Sequence, residues 1–459
     1  MEKVTRLYSG ASPEQVAADL AALVDFQDEG LPLDALDELM RARLVPHLMR
    51  YDRPEFQSMF NACLEEGADL GARLALEYNQ GVTNWQVSPG GAMLEELCCQ
   101  ALCRLFDLGP AADATFMLAG TYANEQAIYM ALHRQAEREG FDFAQEGLLG
   151  FRDPSRLVAV VSRDAHFSLR HAVRTVGLGE QCLVALEVDQ DRRIDVARME
   201  STLDQLSRTR DVFCVVATAG TTPTGAVDPI LPMAKMCARI GAWFHVDGAY
   251  GLAYSLVPGW KPLFAGLELA DSVSWDPHKQ LRAPIPSSVF FARRGKDFSR
   301  MALFADYFYR EGDVEPHPGL KSTPSTRPFA ALPLVASLRH QGMEGVRANL
   351  RAPLVAIRTL AEIIQRQPDL ELAHQPDTGI LCFRVKPPGI PEGRLNELQR
   401  TIYERIIRGG DRSVSMTTLD GKTVLRLVAI SPAMTVEALM ETLAAVRTLA
   451  WEVGKGGLA

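Results

Sequence analysis

Apolar positions recur at helical spacing through the early part of the chain. Leu33, Leu36, Leu39 and Met40 form one stripe, and AMLEELCCQALCRLFDLG, after Ser88-Pro89-Gly90-Gly91, forms another. The pattern from Ser12 to about Leu108 therefore predicts helices. Ser12-Pro13-Glu14-Gln15 reads as a helix start, with Ser12 as N-cap and Pro13 in the first helical position. The middle of the chain changes period. Short apolar runs at 156–162, 182–188, 211–220, 242–250, 271–275 and 287–293 predict strands, several of them separated by helical stretches such as PMAKMCARIG. Strands apolar on both faces and alternating with helices imply an α/β architecture, a mostly parallel sheet flanked by helices. A stretch rich in Pro, Gly, Ser and Thr follows from Gly312 to Pro328. Beyond it, strands at 380–385 and 423–430 and a closing helix, TVEALMETLAAVRTL, read as a smaller α+β domain. The expected division is a helical N-terminal segment over 1–85, a large domain over 86–330 and a small domain over 331–459.

Length and composition narrow the function classes. A chain of 459 residues has room for more than one core. Its formal net charge of -9 carries no block of like charges, which argues against a nucleic-acid surface, since phosphate backbones require concentrated Lys and Arg. No apolar run is long enough to predict a membrane span, and MEKVTRLYSGASPEQ lacks the apolar centre of a secretion signal, so a cytoplasmic setting is expected. The eight cysteines lie mostly in apolar runs without metal-ligand spacing, and they read as buried free thiols with no metal site.

Chemistry concentrates just after the apolar runs, where an open parallel sheet places its ligands. Lys279 follows a short strand in SWDPHKQ; it is either a solvated surface group or an amine kept ready to attack a carbonyl. Asp247 ends the strand in HVDGAY, either as a turn cap or as a buried carboxylate that needs a cationic partner such as a pyridinium nitrogen. Gly120 and Thr121 precede the helical run NEQAIYMALHRQAE, where exposed amides could cradle a phosphate. His166 in SRDAHFS is either a structural hydrogen-bonder or a flat partner for a planar cofactor. Thr222 in ATAGTTPTG lies near another strand end.

Taken together, AGTYAN, SRDAHFS, VVATAGTTPTGAVD, HVDGAYG and ADSVSWDPHK resemble, in order and approximate spacing, the group II amino-acid decarboxylases that use pyridoxal 5'-phosphate (PLP). The resemblance runs from about Arg53 to the closing helix and implies the aspartate-aminotransferase-like PLP fold type I. It makes Lys279 the Schiff-base lysine, Asp247 the partner of the ring nitrogen and His166 the histidine stacked on the ring. Gly120, Thr121 and Tyr122 take the phosphate-loop positions, Thr222 lies close to the cofactor, and His278 helps hold the phosphate. Arg53, in RPEF, stands where the family has a histidine near the substrate mouth, and Arg426 matches an arginine that receives a substrate carboxylate in some members. Tyr307, in FADYFYREG, matches a loop tyrosine that delivers a proton to the product, with Tyr309 the alternative register. Departures are Asp276 in place of a common Asn, His171 in place of a Lys and Gly248 in place of an Ala. The implied activity is decarboxylation of an L-amino acid to an amine and carbon dioxide by a homodimer, the N-terminal segment packing at the dimer interface. Decarboxylation coupled to oxidative deamination, or another PLP reaction, is the alternative. Arg426 could meet an α-carboxylate, a side-chain carboxylate or a structural acid, and positive potential from Arg53 near the mouth tilts the expected substrate toward an acidic amino acid.

Overall fold

The computed structural model describes residues 6–304 and 314–456. Two short helices come first, α1 (Pro13–Leu20) and α2 (Leu33–Arg43). The start of α1 is the predicted one. Ser12 Oγ accepts the Gln15 amide at 3.3 Å while Gln15 Oε1 accepts the Ser12 amide at 2.9 Å, so two amides are satisfied reciprocally.

The chain divides into two compact units. The larger holds residues 64–351 and 376–378; the smaller holds those up to Cys63, 352–375 and those from Gly379 onward. In chain order the larger unit contains α3 (Glu66–Tyr78), α4 (Pro89–Leu105), β1 (Asp113–Met117), α5 (Gly120–Glu139), α6 (Phe143–Glu146), β2 (Leu157–Ser162), α7 (Ser168–Thr175), β3 (Leu183–Leu186), α8 (Val196–Leu206), β4 (Asp211–Thr218), α9 (Ile230–Ile240), β5 (Trp243–Asp247), β6 (Ser272–Trp275) and β7 (Ser288–Ala292). The strands form one sheet in the order β1-β7-β6-β5-β4-β2-β3. Strands β6, β5, β4, β2 and β3 are parallel, and β7 runs antiparallel to both of its neighbours. The predicted mostly parallel sheet is therefore present, with β1 added to it. Helix α5 lies on this sheet with Ala123, Ala127 and Ala131, all buried, on one stripe at i, i+4 spacing. Small side chains there let the helix axis approach the strands closely.

After α10 (Ala331–Gln365), which is interrupted at Gly342, the smaller unit builds β8 (Leu370–Leu372), β9 (Ile380–Val385), α11 (Glu392–Gly409), β10 (Ser415–Leu419), β11 (Lys422–Val428) and α12 (Val436–Gly456). Its four strands pair in the order β10-β11-β9-β8, all antiparallel. Leu381, Phe383, Leu425 and Leu427 on one sheet face bury against Leu398 and Ile402 of α11 and Leu439 and Leu443 of α12.

The units group residues differently from the expected 1–85, 86–330 and 331–459. Helix α3 and the first part of α10 fall in the larger unit. Their packing explains this: a Cβ added at Gly67 would lie 2.7 Å from the Ala336 carbonyl oxygen, and Glu65, which caps α3, meets His340 at 2.7 Å. Backbones this close pack into one compact unit.

Candidate active site

Five strands deliver the predicted residues to one edge of the larger sheet. β1 ends just before Gly120, β2 just before the turn carrying His166, β4 before Thr222, β5 on Asp247 itself, and β6 before His278 and Lys279. These strands run in one direction, β1 included because β7 reverses between it and β6, so their carboxyl ends share an edge. Backbone bonds join the connections: Ala219 donates to the Asp247 carbonyl at 2.8 Å, Gly248 to Ser274 at 3.0 Å and Asp276 to Ala249 at 3.1 Å.

At this edge the Lys279 ammonium lies 3.0 Å from Asp276 Oδ2, and the other Asp276 oxygen accepts the Ser288 hydroxyl at 2.6 Å. The departure at Asp276 thus provides a counter-charge to the lysine. His278 Nδ1 is 2.5 Å from the Ser287 carbonyl and donates to it, and burial pushes the imidazole below its ordinary pKa. Gly120 faces the same carboxylate: a Cβ there would come within 2.9 Å of Asp276 Oδ2. It opens α5, whose N-cap residue Ala119 supplies no side-chain bond to the first-turn amides. Thr121 is half-buried and Tyr122 exposed in that turn.

Asp247 is buried. Its Oδ2 accepts the Asn124 amide at 2.8 Å, and its Oδ1 accepts the Ala249 N–H at 3.1 Å and the Ser274 hydroxyl at 3.3 Å. Burial works to raise this carboxyl, but the Asn124 bond and the nearby His245, His166 and Lys279 groups outweigh it and hold the pKa below the ordinary value. His166 Nδ1 accepts the Ser168 amide at 3.2 Å, which leaves the ring proton on Nε2. Burial lowers the His166 pKa against the pull of Asp247, so near neutrality the ring is an uncharged donor. Asp247, Lys279 and Asp276 all act electrostatically on the His166 ring, so the four side chains lie near one another at this edge.

These residues fit a PLP cofactor. The three groups that bond Asp247 are neutral donors, so a cationic ring nitrogen would complete its environment. The uncapped start of α5 offers first-turn amides to a phosphate dianion, and the Lys279 ammonium offsets the Asp276 carboxylate that lies beside Gly120. Thr222 lies half-buried in the turn after β4. Tyr307 and Tyr309 lie outside the described residues.

The two arginines belong to the smaller unit. Arg53 forks onto Glu55 at 3.1 and 3.2 Å, so its charge is already compensated. Arg426, nearly buried on β11, bonds the Ser58 carbonyl at 3.3 Å, and its guanidinium sits over the Phe60 ring. The Arg53 pairing compensates the charge behind the acidic tilt.

Asn124, Ser168, His245, Ser272 and Ser274 were absent from the sequence expectations, yet all lie within three hydrogen bonds of Asp247. For the strand residues the signal was period two: Trp243, His245 and Asp247 share one face of β5, and Ser272 and Ser274, paired with His245 and Asp247, share one face of β6, whereas Asn124 and Ser168 come from helices.

Comparison with known proteins agrees with this geometry. The model of the pyridoxal-dependent decarboxylase conserved domain matches residues 13–386. The L-2,4-diaminobutyrate decarboxylase of Rhizobium meliloti (strain 1021) is 29% identical over 452 residues, covering 97% of this chain and 88% of that protein. Human acidic amino acid decarboxylase GADL1 is 26% identical over 435 residues, covering 92% of this chain and 81% of that protein. The fold is that of the solved glutamate decarboxylase domain of a diaminobutyrate-pyruvate transaminase and L-2,4-diaminobutyrate decarboxylase from Vibrio parahaemolyticus. That match has a TM-score of 0.88 at 24% identity, covering 98% of this chain and 92% of that one. With the family model spanning most of its length, the chain belongs to the pyridoxal-dependent decarboxylases, and is an enzyme of the group II branch that acts on amino acids.

Proposed function

We propose that the enzyme converts an L-amino acid to the corresponding amine and carbon dioxide with PLP carried on the ε-amino group of Lys279. The observation that carries this reading is Asp247, a buried carboxylate kept charged with only neutral donors bonded to it. When bound, PLP supplies a protonated ring that accepts the electron pair released as the carboxylate leaves. The chain's own residues do the rest. Asp247 keeps the ring-nitrogen proton in place by opposing charge. The Gly120 and Thr121 amides, the Thr121 hydroxyl, Tyr122 and His278 hold the phosphate. His166 offers a neutral face for stacking and an Nε2–H for donation, and Thr222 closes the site beside the cofactor. Tyr307 delivers a proton to the product carbon; failure of that step, with molecular oxygen as the oxidant, is the route to the aldehyde and ammonia of the alternative reaction.

For the substrate we put a diamino acid first. A second carboxylate needs a free cation, and the Arg53 guanidinium is committed to Glu55. The relative that covers 97% of the chain is named for L-2,4-diaminobutyrate. A panel of L-2,4-diaminobutyrate, aspartate, glutamate and aromatic amino acids, with carbon dioxide and amine both measured, tests this. We expect equal yields of both products, fastest with diaminobutyrate. A clear preference for an acidic or aromatic substrate overturns the choice of substrate, and aldehyde in place of amine overturns the reaction.

We also propose a homodimer in a cytoplasmic setting. Leu70 and Leu74, four positions apart on α3, are exposed, as a face that pairs with a second copy would be in one chain alone.

A further inference from the structure

Behind Asp247 lies a line of buried polar side chains that no apolar sheet–helix interface requires. Trp243 Nε1 lies 2.8 Å from Ser272 Oγ, and Ser272 Oγ lies 2.8 Å from His245 Nδ1. His245 Nε2 is 3.0 Å from Asn124 Oδ1, and Asn124 Nδ2 reaches Asp247 Oδ2 and Ser168 Oγ, each at 2.8 Å. Trp243, Ser272 and His245 are fully buried and Asn124 is 1% exposed.

Every link in this line has a forced direction. An ionised carboxylate only accepts, so Asn124 must turn its NH2 toward Asp247, which leaves its oxygen facing His245. That oxygen can only accept, so its 3.0 Å contact with Nε2 requires His245 to carry its proton there, beside the Ser274 hydroxyl that reaches the same oxygen at 3.3 Å. Burial displaces the His245 pKa to about 4, so the ring is neutral and its Nδ1 is an acceptor. The Ser272 hydroxyl then donates to Nδ1, and its oxygen is open to the indole N–H of Trp243, a group that can only donate. The five residues therefore hold one arrangement of protons. The reverse arrangement would set the Asn124 oxygen against the Asp247 carboxylate.

We propose that His245 and Asn124 are positioning residues, which through this one-way chain from Trp243 fix the orientation and charge of Asp247 toward the ring nitrogen of the cofactor. The proposal rests on the reading of Asp247 given above. Deleting a link leaves Asn124 able to rotate, and a rotated Asn124 presents an acceptor to Asp247. The carboxylate is then less able to remain charged, and the loss falls on the ring nitrogen rather than on the phosphate.

Two probes separate these effects: PLP and 1-deazapyridoxal 5'-phosphate, which has carbon in place of the ring nitrogen. Dissociation constants are measured on the folded full-length apoenzyme by fluorescence quenching, with folding of each variant checked by circular dichroism and Tm. Wild type binds PLP the more tightly. In His245→Leu, PLP binding weakens by about tenfold or more while 1-deazapyridoxal phosphate changes by less than about twofold, as loss of one charge-assisted contact predicts. His245→Gln, which keeps an N–H near the Nε2 position, restores most of the difference. Where His245→Leu does not fold, the isosteric Asn124→Asp carries the test and shows the same selective loss. Parallel weakening of both probes, or a His245→Gln variant as impaired as His245→Leu, overturns the positioning role. If wild type does not distinguish the probes, the Asp247 reading itself falls.

Discussion

His245 and Asp247 stand on one face of β5, and burial acts on them in opposite electrostatic senses. Each is penalised in its charged form. The histidine yields and stays neutral, with its pKa displaced to about 4, whereas the carboxylate, bonded by Asn124 and facing His166 and Lys279, remains ionised. The consequence for stability has a definite sign. Between the ordinary histidine value near 6.5 and about 4, the unfolded chain takes up a proton at residue 245 that the folded chain does not, so stability falls as pH falls. For a fully buried group displaced this far the effect is on the order of 3 kcal/mol. His245→Gln should lose correspondingly less stability than wild type across that window, measured by urea denaturation at stepped pH. His166, His278 and His133, also displaced downward by burial, contribute equally to both proteins and cancel in the difference. Parallel stability curves for the two proteins would contradict this account of His245. Lys279, Asp247 and His166 were legible in the sequence because each sits in a short motif after an apolar run. His245 and Asn124 were not. A single histidine inside AWFHV reads as core, and Asn124 meets Asp247 across 123 positions of sequence that no local pattern spans. Arg53 was read for its charge alone, although its partner Glu55 lies two residues away.

At the scale of elements, the site depends on how closely α5 begins against the connection after β6. A Cβ at Gly120 would press on Asp276, whose two oxygens hold Ser288 and Lys279. Gly120→Ala should therefore weaken PLP binding by about tenfold or more while leaving Tm nearly unchanged, because residue 120 is at a helix start, where a methyl group disturbs the turn and little else. Unchanged PLP affinity would show that α5 and the β6 connection do not share the phosphate. Gly248, where the family more often has Ala, has a comparable constraint, since a Cβ there would lie 2.9 Å from the Ser274 carbonyl oxygen. The strongly apolar strands were readable from the sequence to within a few residues. β1, β8 and β10 were not predicted: DATFM is short and follows a Pro-Ala-rich turn, LEL spans three residues, and SMTTL is too polar to mark a buried strand. The Asp420-Gly421 pair between β10 and β11, both residues at positive φ, is the local signal for that hairpin.

For the whole molecule, helix–helix contact through Gly67 and Gly71 puts α3 and the start of α10 in one compact unit, a tertiary fact invisible to periodicity. The exposed Leu70 and Leu74 belong to that same helix. We expect sedimentation equilibrium to give a dimer mass at micromolar concentration, and Leu70→Lys with Leu74→Lys to shift it toward monomer with loss of activity. A wild-type monomer that turns over substrate at full rate would refute the assembly.

The central claim, that the cofactor is carried by Lys279, has a direct chemical test. Borohydride reduction of the PLP-loaded enzyme, followed by peptide mass mapping, should place a pyridoxyl group on Lys279 and abolish the visible absorption band of the bound cofactor. A reduced, cofactor-loaded protein whose pyridoxyl group maps to another lysine, or to none, would contradict the account.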